Sequence, residues 1–330
     1  MSDKRNFSYV VSSFYVFYPL KKETLETFRD KIESKGRSLG LVGLYLLGHE
    51  GANATYSGLL SDVLTFESYL ADALKAHADS EEELKLEFKK SPSHFQPFKE
   101  FRVKVREEIV TLGREDLVPK DRKRHLSVDE FHEMLQRDDV VILDTRNDYE
   151  YEIGHFKGAI DPKIKEFRDF PEYLKASGLP KAAPTLIYCT GGIRCEKAIL
   201  AMEEQGFDNV YQLEGGILKY LEKYPQGRWE GECFVFDHRL AVDAELKPTT
   251  KFKFCPHCGQ PATQPITCKR CDAGAVVCTK CLEASTHKET CSRNCAYHFQ
   301  RRPDKKGAPQ EKSFLAQKLT EASGEAHHSG

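Results

Sequence analysis

The sequence contains no apolar run that approaches the roughly 20 residues needed for a membrane-spanning helix. Its opening segment, MSDKRNFSYVVSSFYVFYPL, lacks the apolar stretch and small-residue cleavage site of a signal peptide. We therefore expect a cytoplasmic protein that makes no contact with a membrane. The net charge of −2 favours no particular class of partner, and nothing in the sequence indicates an oligomeric state.

Two common signatures of redox cofactors are also missing. There is no Gly-x-Gly-x-x-Gly motif, so neither a flavin nor a nicotinamide is indicated. No two histidines and one carboxylate occur at a recognisable spacing for a non-haem iron site.

Cysteine, by contrast, is abundant, with eleven residues in a chain of 330. Hydrophobic residues make up 40% and charged residues 30%, which suits a globular protein of two or three domains. In a reducing compartment, closely spaced thiols bind metals or carry out chemistry more often than they form disulfides.

The N-terminal segment alternates strand-like and helix-like patterns, from which we predict a ferredoxin-like α+β domain over residues 1–113. A β-α-β-β-α-β order follows from an aromatic strand, a helix that ends at Gly36, a Gly/Asn hairpin, a helix over 60–78 and strands within 83–90 and 101–110. Apolar side chains of the second helix, among them Leu64 and Leu70, should share one face. A polar linker over 114–121 should follow.

A doubly wound α/β domain is predicted over residues 122–226. It opens with a capping box formed by Ser127 and Glu130. Buried strands of the parallel-sheet type, VVILDTR, TLIYC and VYQL, alternate with helices. Functional sites in such sheets lie beyond the carboxyl ends of the strands, and Cys189 stands at one of these ends.

The remainder of the chain changes character. We expect a connecting segment over 227–250, a cysteine-rich module over 251–299 and a flexible polar tail over 300–330, with one short helix at 311–319.

The segment CTGGIRC (189–195) has the composition of a loop that holds a negatively charged sulfur. Glycines at 191 and 192 allow the loop amides to turn toward Cys189, while a helix N-terminus and Arg194 favour its thiolate. We expect this sulfur to be exposed at the floor of a pocket. The alternative is a structural, buried cysteine. The predicted active-site loop comprises Thr190, Gly191, Gly192, Ile193, Arg194 and Cys195.

Cys195 has two open interpretations. It could resolve a persulfide or sulfenic acid on Cys189 as a disulfide. It could equally be a small core residue of the following helix. Nearby, Asp144 and Arg146 are expected to form an internal ion pair, and His155 is expected to be a turn residue.

Eight cysteines after residue 254 form four closely spaced pairs, enough for two tetrahedral zinc sites. Sequential and crossed pairings both satisfy the spacing, and His257, His287 or His298 could replace a thiol. An iron–sulfur cluster, or thiols and disulfides without metal, are the alternatives. The predicted ligands are Cys255, Cys258, Cys268, Cys271, Cys278, Cys281, Cys291 and Cys295.

A basic stretch between residues 89 and 124, together with cations among the later cysteines, indicates contact with a polyanion. A solvated surface would explain the same charges. The candidate RNA-binding residues are Lys99, Arg102, Lys104, Arg106, Lys269 and Arg270.

Two resemblances rest on these motifs. LDTRNDYEYEIGHFKGAI, CTGGIRC and LEGGI resemble the motifs of rhodanese domains, in which the loop cysteine becomes a persulfide; tyrosine phosphatases instead use a longer Cys-x5-Arg loop. Together with GHEGANATYSG, REEIVTLG, ECFVFDHRLAV and CPHCG in this order, the chain resembles the bacterial tRNA uridine hydroxylase family.

The second resemblance implies an oxidoreductase that uses molecular oxygen to convert the wobble uridine of tRNA to 5-hydroxyuridine, with the anticodon arm as partner and Cys189 as the reactive residue. The Cys189 thiolate could add to C6 of uracil, or the reaction could pass through a persulfide or sulfenate. A rhodanese-type sulfurtransferase that forms a cysteine persulfide is the alternative function, and a zinc-stabilised adaptor without catalysis is a third.

Overall fold

The computed structural model describes residues 8–120 and 124–307. The chain divides into two compact units, one formed by Met1–Asp237 with Val242–Lys247 and the other by His238–Ala241 with Pro248–Gly330. Every helix within the described ranges is too short or too polar to cross a lipid bilayer.

The N-terminal part of the first unit is a five-stranded sheet with two helices. Strands occur in the order β4-β1-β3-β2-β5, antiparallel except for the β2–β5 pair. The first four form the expected ferredoxin-like arrangement, and β5 adds an edge strand beside β2. The elements are β1 (Tyr9–Phe17), α1 (Leu25–Ser38), β2 (Val42–Gly48), β3 (Gly51–Gly58), α2 (Leu60–Ala76), β4 (Lys89–Ser93) and β5 (Phe101–Val105), with a 3-10 turn at Lys22–Thr24.

Several local predictions in this part were wrong. Helix α1 continues through Gly36 to Ser38, because Gly36 is a packing residue: a Cβ atom there would lie 2.5 Å from the ring of Phe101. The fourth strand begins at Lys89 rather than at residue 83. Leu64 on α2 is 48% exposed and lies outside the apolar face, whereas Leu70 is fully buried.

The central part is a parallel four-stranded sheet in the order β6-β10-β9-β7, with helices on both faces. On β9, Leu186 and Tyr188 belong to one buried cluster and Ile187 belongs to the other, which is the pattern of a doubly wound sheet. The elements are β6 (His125–Leu126), α3 (Val128–Met134), β7 (Val141–Asp144), α4 (Asp148–Ile153), β8 (Gly154–Phe156), α5 (Phe170–Ala176), β9 (Thr185–Tyr188), α6 (Ile193–Glu204), β10 (Val210–Leu213), α7 (Gly216–Lys223), β11 (Trp229–Gly231), β12 (Cys233–Phe234) and β13 (Ala241–Val242), with a 3-10 turn at Phe167–Asp169.

Two of three local predictions for this part are confirmed. Ser127 and Glu130 form both hydrogen bonds of a capping box at the start of α3. Arg146 and Asp144 are fully buried and joined by an ion pair of 2.6 Å. The ion pair therefore lies inside the fold, as predicted. The prediction that His155 is a turn residue was wrong. His155 lies on β8, opposite Glu230 of β11, and its ring hydrogen-bonds the carbonyl of Tyr151 at 3.0 Å.

The second unit contains two short hairpins and two helices, with few large apolar side chains. One of its buried clusters consists of three cysteines with Ala262 and Val277, and another consists of three further cysteines. The helix predicted at 311–319 lies outside the described residues. The elements are β14 (Lys253–Phe254), β15 (Pro261–Ala262), β16 (Gln264–Thr267), β17 (Gly274–Val277), α8 (Thr279–Ala284) and α9 (Arg293–Arg301), with a 3-10 turn at Thr286–Lys288.

Candidate active site and thiol clusters

The loop with the candidate reactive cysteine lies where the sequence predicts it, at the carboxyl end of the parallel sheet. Cys189 directly follows β9, which is flanked by β10 and β7. Helix α6 begins four residues later, at Ile193. The loop therefore joins an interior strand to a helix N-terminus, where main-chain amides have no partner within the helix.

The glycines are required by close approaches and backbone conformation. Gly192 has a φ angle of 101°, and its N–H donates to the Cys189 sulfur at 3.0 Å. Gly216, in the LEGGI motif, has a φ angle of 70°, and a Cβ atom there would lie 2.6 Å from the Cys189 carbonyl oxygen. A side chain at either position would displace the loop.

The environment of Cys189 favours a thiolate. Burial by itself raises its pKa, but the Cys195 thiol donates a hydrogen bond, the Arg194 charge attracts the anion, and the amides of Arg194 and Cys195 donate to it. Together these contacts lower the pKa to about 6. Burial and the neighbouring Cys189 sulfur raise the pKa of Cys195 well above its ordinary value. The structure therefore brings together one acidic and one protonated thiol.

Arg194 is held by a residue to which the sequence analysis gave no role. Its guanidinium forms a two-pronged ion pair with Glu150, with nitrogen–oxygen distances of 2.7 and 2.8 Å. Glu150 is fully buried in the first turn of α4. The only sequence signal for it was its place inside a rhodanese-like motif. Arg194 acts on the sulfur from this fixed position.

The expectation of an exposed sulfur was wrong. Cys189 is 1% exposed and Thr190 is 8% exposed, whereas Gly191 and Ile193 are partly accessible. The amide donors do converge on the sulfur. In this conformation, however, a substrate could contact the outer surface of the loop but could not reach the Cys189 sulfur.

Part of the covering comes from the N-terminal sheet, which the sequence analysis did not connect with this site. The hydroxyl of Tyr15 on β1 would lie 2.9 Å from a Cβ atom on Gly192, and it donates to Glu196 at 2.7 Å. Glu196 also contacts His125 at 3.1 Å and accepts from Gln212 at 3.0 Å. A polar network thus ties the N-terminal sheet to the first turn of α6.

A second anchor lies one residue further along α6. Lys197 is fully buried and forms ion pairs of 2.8 Å with both Glu50 and Glu108. Glu50 also accepts from the amide of Ile109 at 2.7 Å. Because a buried cation requires such partners, this triad fixes the N-terminal part against the helix that begins at the loop.

A shallow cleft borders the same region. It encloses about 250 Å³ of space, including open solvent, and its walls carry charges of both signs and one tyrosine. Its lining residues are Tyr15, Glu87, Lys89, His125, Glu214 and Gly215.

The eight predicted metal ligands form two clusters with crossed pairing. Cys255 and Cys258 meet Cys278 and Cys281, while the other four thiols form the second cluster, and the sulfurs of each set lie within 4.8 Å of one another. No histidine takes a ligand position in either cluster of the described unit. All eleven cysteines, each within the described ranges, are free thiols.

The sulfur distances fit a single tetrahedral ion in each cluster. Four sulfurs bound at roughly 2.3 Å to one zinc ion would lie roughly 3.8 Å apart. The distances include 3.5 Å between Cys258 and Cys278, and 3.6 Å between Cys291 and Cys295. A multi-iron cluster would hold its thiolates further apart. Each cluster could therefore hold a metal ion.

The candidate RNA-binding residues occur in both units and differ in their exposure. Lys99, Arg102 and Arg106 are exposed, whereas Lys104 is half-buried. Arg102 forms an ion pair of 2.6 Å with Glu100. In the second unit, Lys269 pairs with Glu289 at 2.6 Å and Arg270 is half-buried.

Three family models match this chain in succession. They are a UPF0176 acylphosphatase like domain over residues 9–109, a rhodanese-like domain over 127–223 and a rhodanase C-terminal region over 230–296.

Similar proteins extend over most of the chain. A protein of Bdellovibrio bacteriovorus named tRNA uridine(34) hydroxylase is 45% identical, over 97% of this chain and 89% of that protein. A Legionella pneumophila protein of the same name is 43% identical, over 72% of this chain and 91% of its own length. A solved rhodanese-like domain from an Anabaena species is 23% identical, covers 33% of this chain and 80% of that chain, and has a TM-score of 0.29.

Proposed function

The chain belongs to the tRNA uridine(34) hydroxylase family, and from this premise we propose that it is an oxidoreductase that hydroxylates the wobble uridine of tRNA to 5-hydroxyuridine. Molecular oxygen is the proposed co-substrate. The anticodon arm of tRNA is the proposed binding partner, and the cytoplasm, where tRNA is found, is the proposed compartment.

The observation that carries the proposal is the thiolate environment of Cys189. With a pKa of about 6, this thiol is mostly ionised at neutral pH. The Gly192 amide, at 3.0 Å from the sulfur, also stabilises negative charge. We propose Cys189 as the catalytic residue and Thr190–Cys195 as the loop that supports it.

One chemical route uses Cys189 as a nucleophile. A bond forms between the sulfur and C6 of uracil, and the electron pair of the C5–C6 double bond moves to C5. C5 then takes an oxygen atom derived from dioxygen. Loss of the C5 proton and departure of the thiolate restore the double bond. The O–O bond breaks as C5 takes its oxygen atom, and the second oxygen atom leaves as water after it has taken two electrons from an external reductant and two protons.

A second route passes through an oxidised or persulfidated Cys189. The hydrogen bond from Cys195 affects the fate of a sulfenic acid on Cys189, because without substrate the two residues can condense to a disulfide with release of water. Both routes require the sulfur to become accessible. Because Tyr15 lies against Gly192, movement of this ring or of the loop is the proposed opening step.

We propose zinc as the occupant of both thiol clusters. The second unit has few large apolar residues, so metal binding would supply much of its folding free energy, on the order of 10 kcal/mol per site. Four thiolates close the coordination sphere, and the role of the ion is structural. We also propose the domain limits that the sequence predicts, including the linker over 114–121 and the connecting segment over 227–250.

Tests of the proposed reaction begin with nucleoside analysis. We expect deletion of the gene to remove 5-hydroxyuridine derivatives from bulk tRNA, as measured by mass spectrometry. Plasmid-borne wild type should restore them, and Cys189→Ala should not. Cys233→Ala is the matched control, because Cys233 is also buried but has a pKa raised, chiefly by burial, to about 12.

The same experiment separates the alternative functions. Loss of a thiolated nucleoside instead would indicate a sulfurtransferase. Unchanged nucleosides would indicate an adaptor. For the nucleophilic route, wild-type protein should form a covalent adduct with a 5-fluorouridine substrate. An adduct of normal yield with Cys189→Ala would exclude that route.

A further inference from the structure

An exposed aromatic ring stands beside the loop. Phe236, in the ECFVFDHRLAV motif, is 58% exposed, more than any other large hydrophobic residue in the described ranges. Single exposed apolar residues are common on protein surfaces. Phe236 differs from these because two other side chains, Arg194 and Phe234, pack against its ring.

Two contacts fix the orientation of this ring. The Arg194 guanidinium carbon lies 5.4 Å from the ring centre, and Phe234 meets the ring edge to face, with centroids 4.9 Å apart. Arg194 is itself locked by its ion pair with Glu150. The ring therefore loses little conformational freedom when a ligand covers it, which favours binding.

The surface next to the ring is part of the reactive loop. Thr190 donates from its hydroxyl to the Phe234 carbonyl at 3.4 Å, which joins the two segments. Gly191 is partly accessible, and a Cβ atom built there would have no heavy atom within 4 Å. The exposed ring thus contacts Arg194 of the loop that contains Cys189, and the same loop has an open patch without a side chain at Gly191.

We propose that Phe236 is a stacking platform for the target base, which it receives on the face of the ring opposite Arg194. This inference rests on the proposed function and names the positioning residue for it. A pyrimidine taken out of its stack loses contact with its neighbours, and a fixed aromatic ring restores a comparable contact. The Arg194 guanidinium makes a cation–π contact with the other face of the Phe236 ring, which helps to hold the ring in place.

The test measures dissociation constants of the full chain for two anticodon stem–loops. One has uridine at position 34, and the other has an abasic site there. Wild type should bind the uridine stem–loop roughly 5- to 100-fold more tightly, the range expected for one stacked base. Phe236→Ala should remove this preference while it leaves the affinity for the abasic stem–loop unchanged. Phe236→Tyr should retain the preference.

The matched control is Leu64→Ala, which shortens an exposed apolar residue on α2 and should preserve the preference. Equal weakening of both stem–loops by Phe236→Ala, or no weakening of either, would overturn the inference. The proposed function has a separate failure: wild-type protein would then form no 5-hydroxyuridine on tRNA, whichever base preference it shows.

Discussion

The ion pair between Glu150 and Arg194 makes a strong prediction about stability. Glu150→Gln removes the charge but keeps the size of the side chain, so the buried guanidinium loses its carboxylate partner. The two side chains are 0% and 7% exposed, so water cannot take the place of the lost charge. Breaking such a pair should lower the free energy of unfolding by about 3–5 kcal/mol.

Urea denaturation followed by tryptophan fluorescence can measure this loss in the first unit. Trp229 is the only tryptophan of the chain, and its ring packs at 5.2 Å from that of Phe156. Its fluorescence therefore reports on the α/β part. With a denaturant slope of roughly 2–3 kcal/mol per M, the midpoint should fall by about 1–2.5 M.

A surface pair provides the control for the same substitution. Glu172 pairs with Lys175 at 3.0 Å, and their side chains are 80% and 63% exposed. Glu172→Gln should cost no more than about 0.5 kcal/mol. If Glu150→Gln shifted the midpoint as little as this control, the reasoning about a buried, mutually dependent pair would be refuted.

Four further outcomes follow from the site and its surroundings. Because the pKa of Cys189 is lowered to about 6, the hydroxylation rate should rise with pH through about 6 and level off above about 7; a midpoint near 8.5 would contradict this. Lys197→Met leaves two carboxylates buried without their cation and should destabilise the protein by about 3–5 kcal/mol, a loss measurable as a lower thermal midpoint. Cys258→Ser should reduce the metal content of protein purified under reducing conditions from two ions per chain to one; unchanged content would exclude this thiol as a ligand. Arg102→Ala should weaken binding to all tRNAs alike and reduce the logarithmic salt slope by about 1, whereas an unchanged slope would remove this residue from the RNA interface.

Local rules predicted most elements because spacing and capping act over a few residues. The capping box at Ser127 is such a case. They failed where tertiary packing decides. Leu84 and Phe88 pack against the N-terminal core without forming a strand, and β4 instead begins at Lys89 and includes Pro92. The alternation of apolar residues in this segment correctly predicted that Leu84 and Phe88 are partly buried. It wrongly predicted that they form hydrogen bonds within a strand.

The site shows the same division. Cys189 and its glycines could be identified because they adjoin one another in the chain. Tyr15 and Glu150 could not, because their contacts with the loop region span 181 and 44 positions of sequence. The crossed pairing of the eight clustered cysteines could not be predicted either, because sequential and crossed pairings both satisfy the spacing in the sequence. Exposure of the sulfur depends on what covers the loop, and that covering comes from a distant strand.

The buried position of Lys197 has a consequence for any attempt to transplant the central segment. Excising residues 122–226 would remove both acidic partners and leave a solitary cation at a newly opened face, two positions after Cys195. The loop that contains Cys189 would then precede a helix, α6, that had lost its ion pairs with the N-terminal part. The central segment of this chain therefore depends on the N-terminal part for its stability. Low activity of the excised segment would reflect the loss of Glu50 and Glu108 rather than the intrinsic reactivity of Cys189.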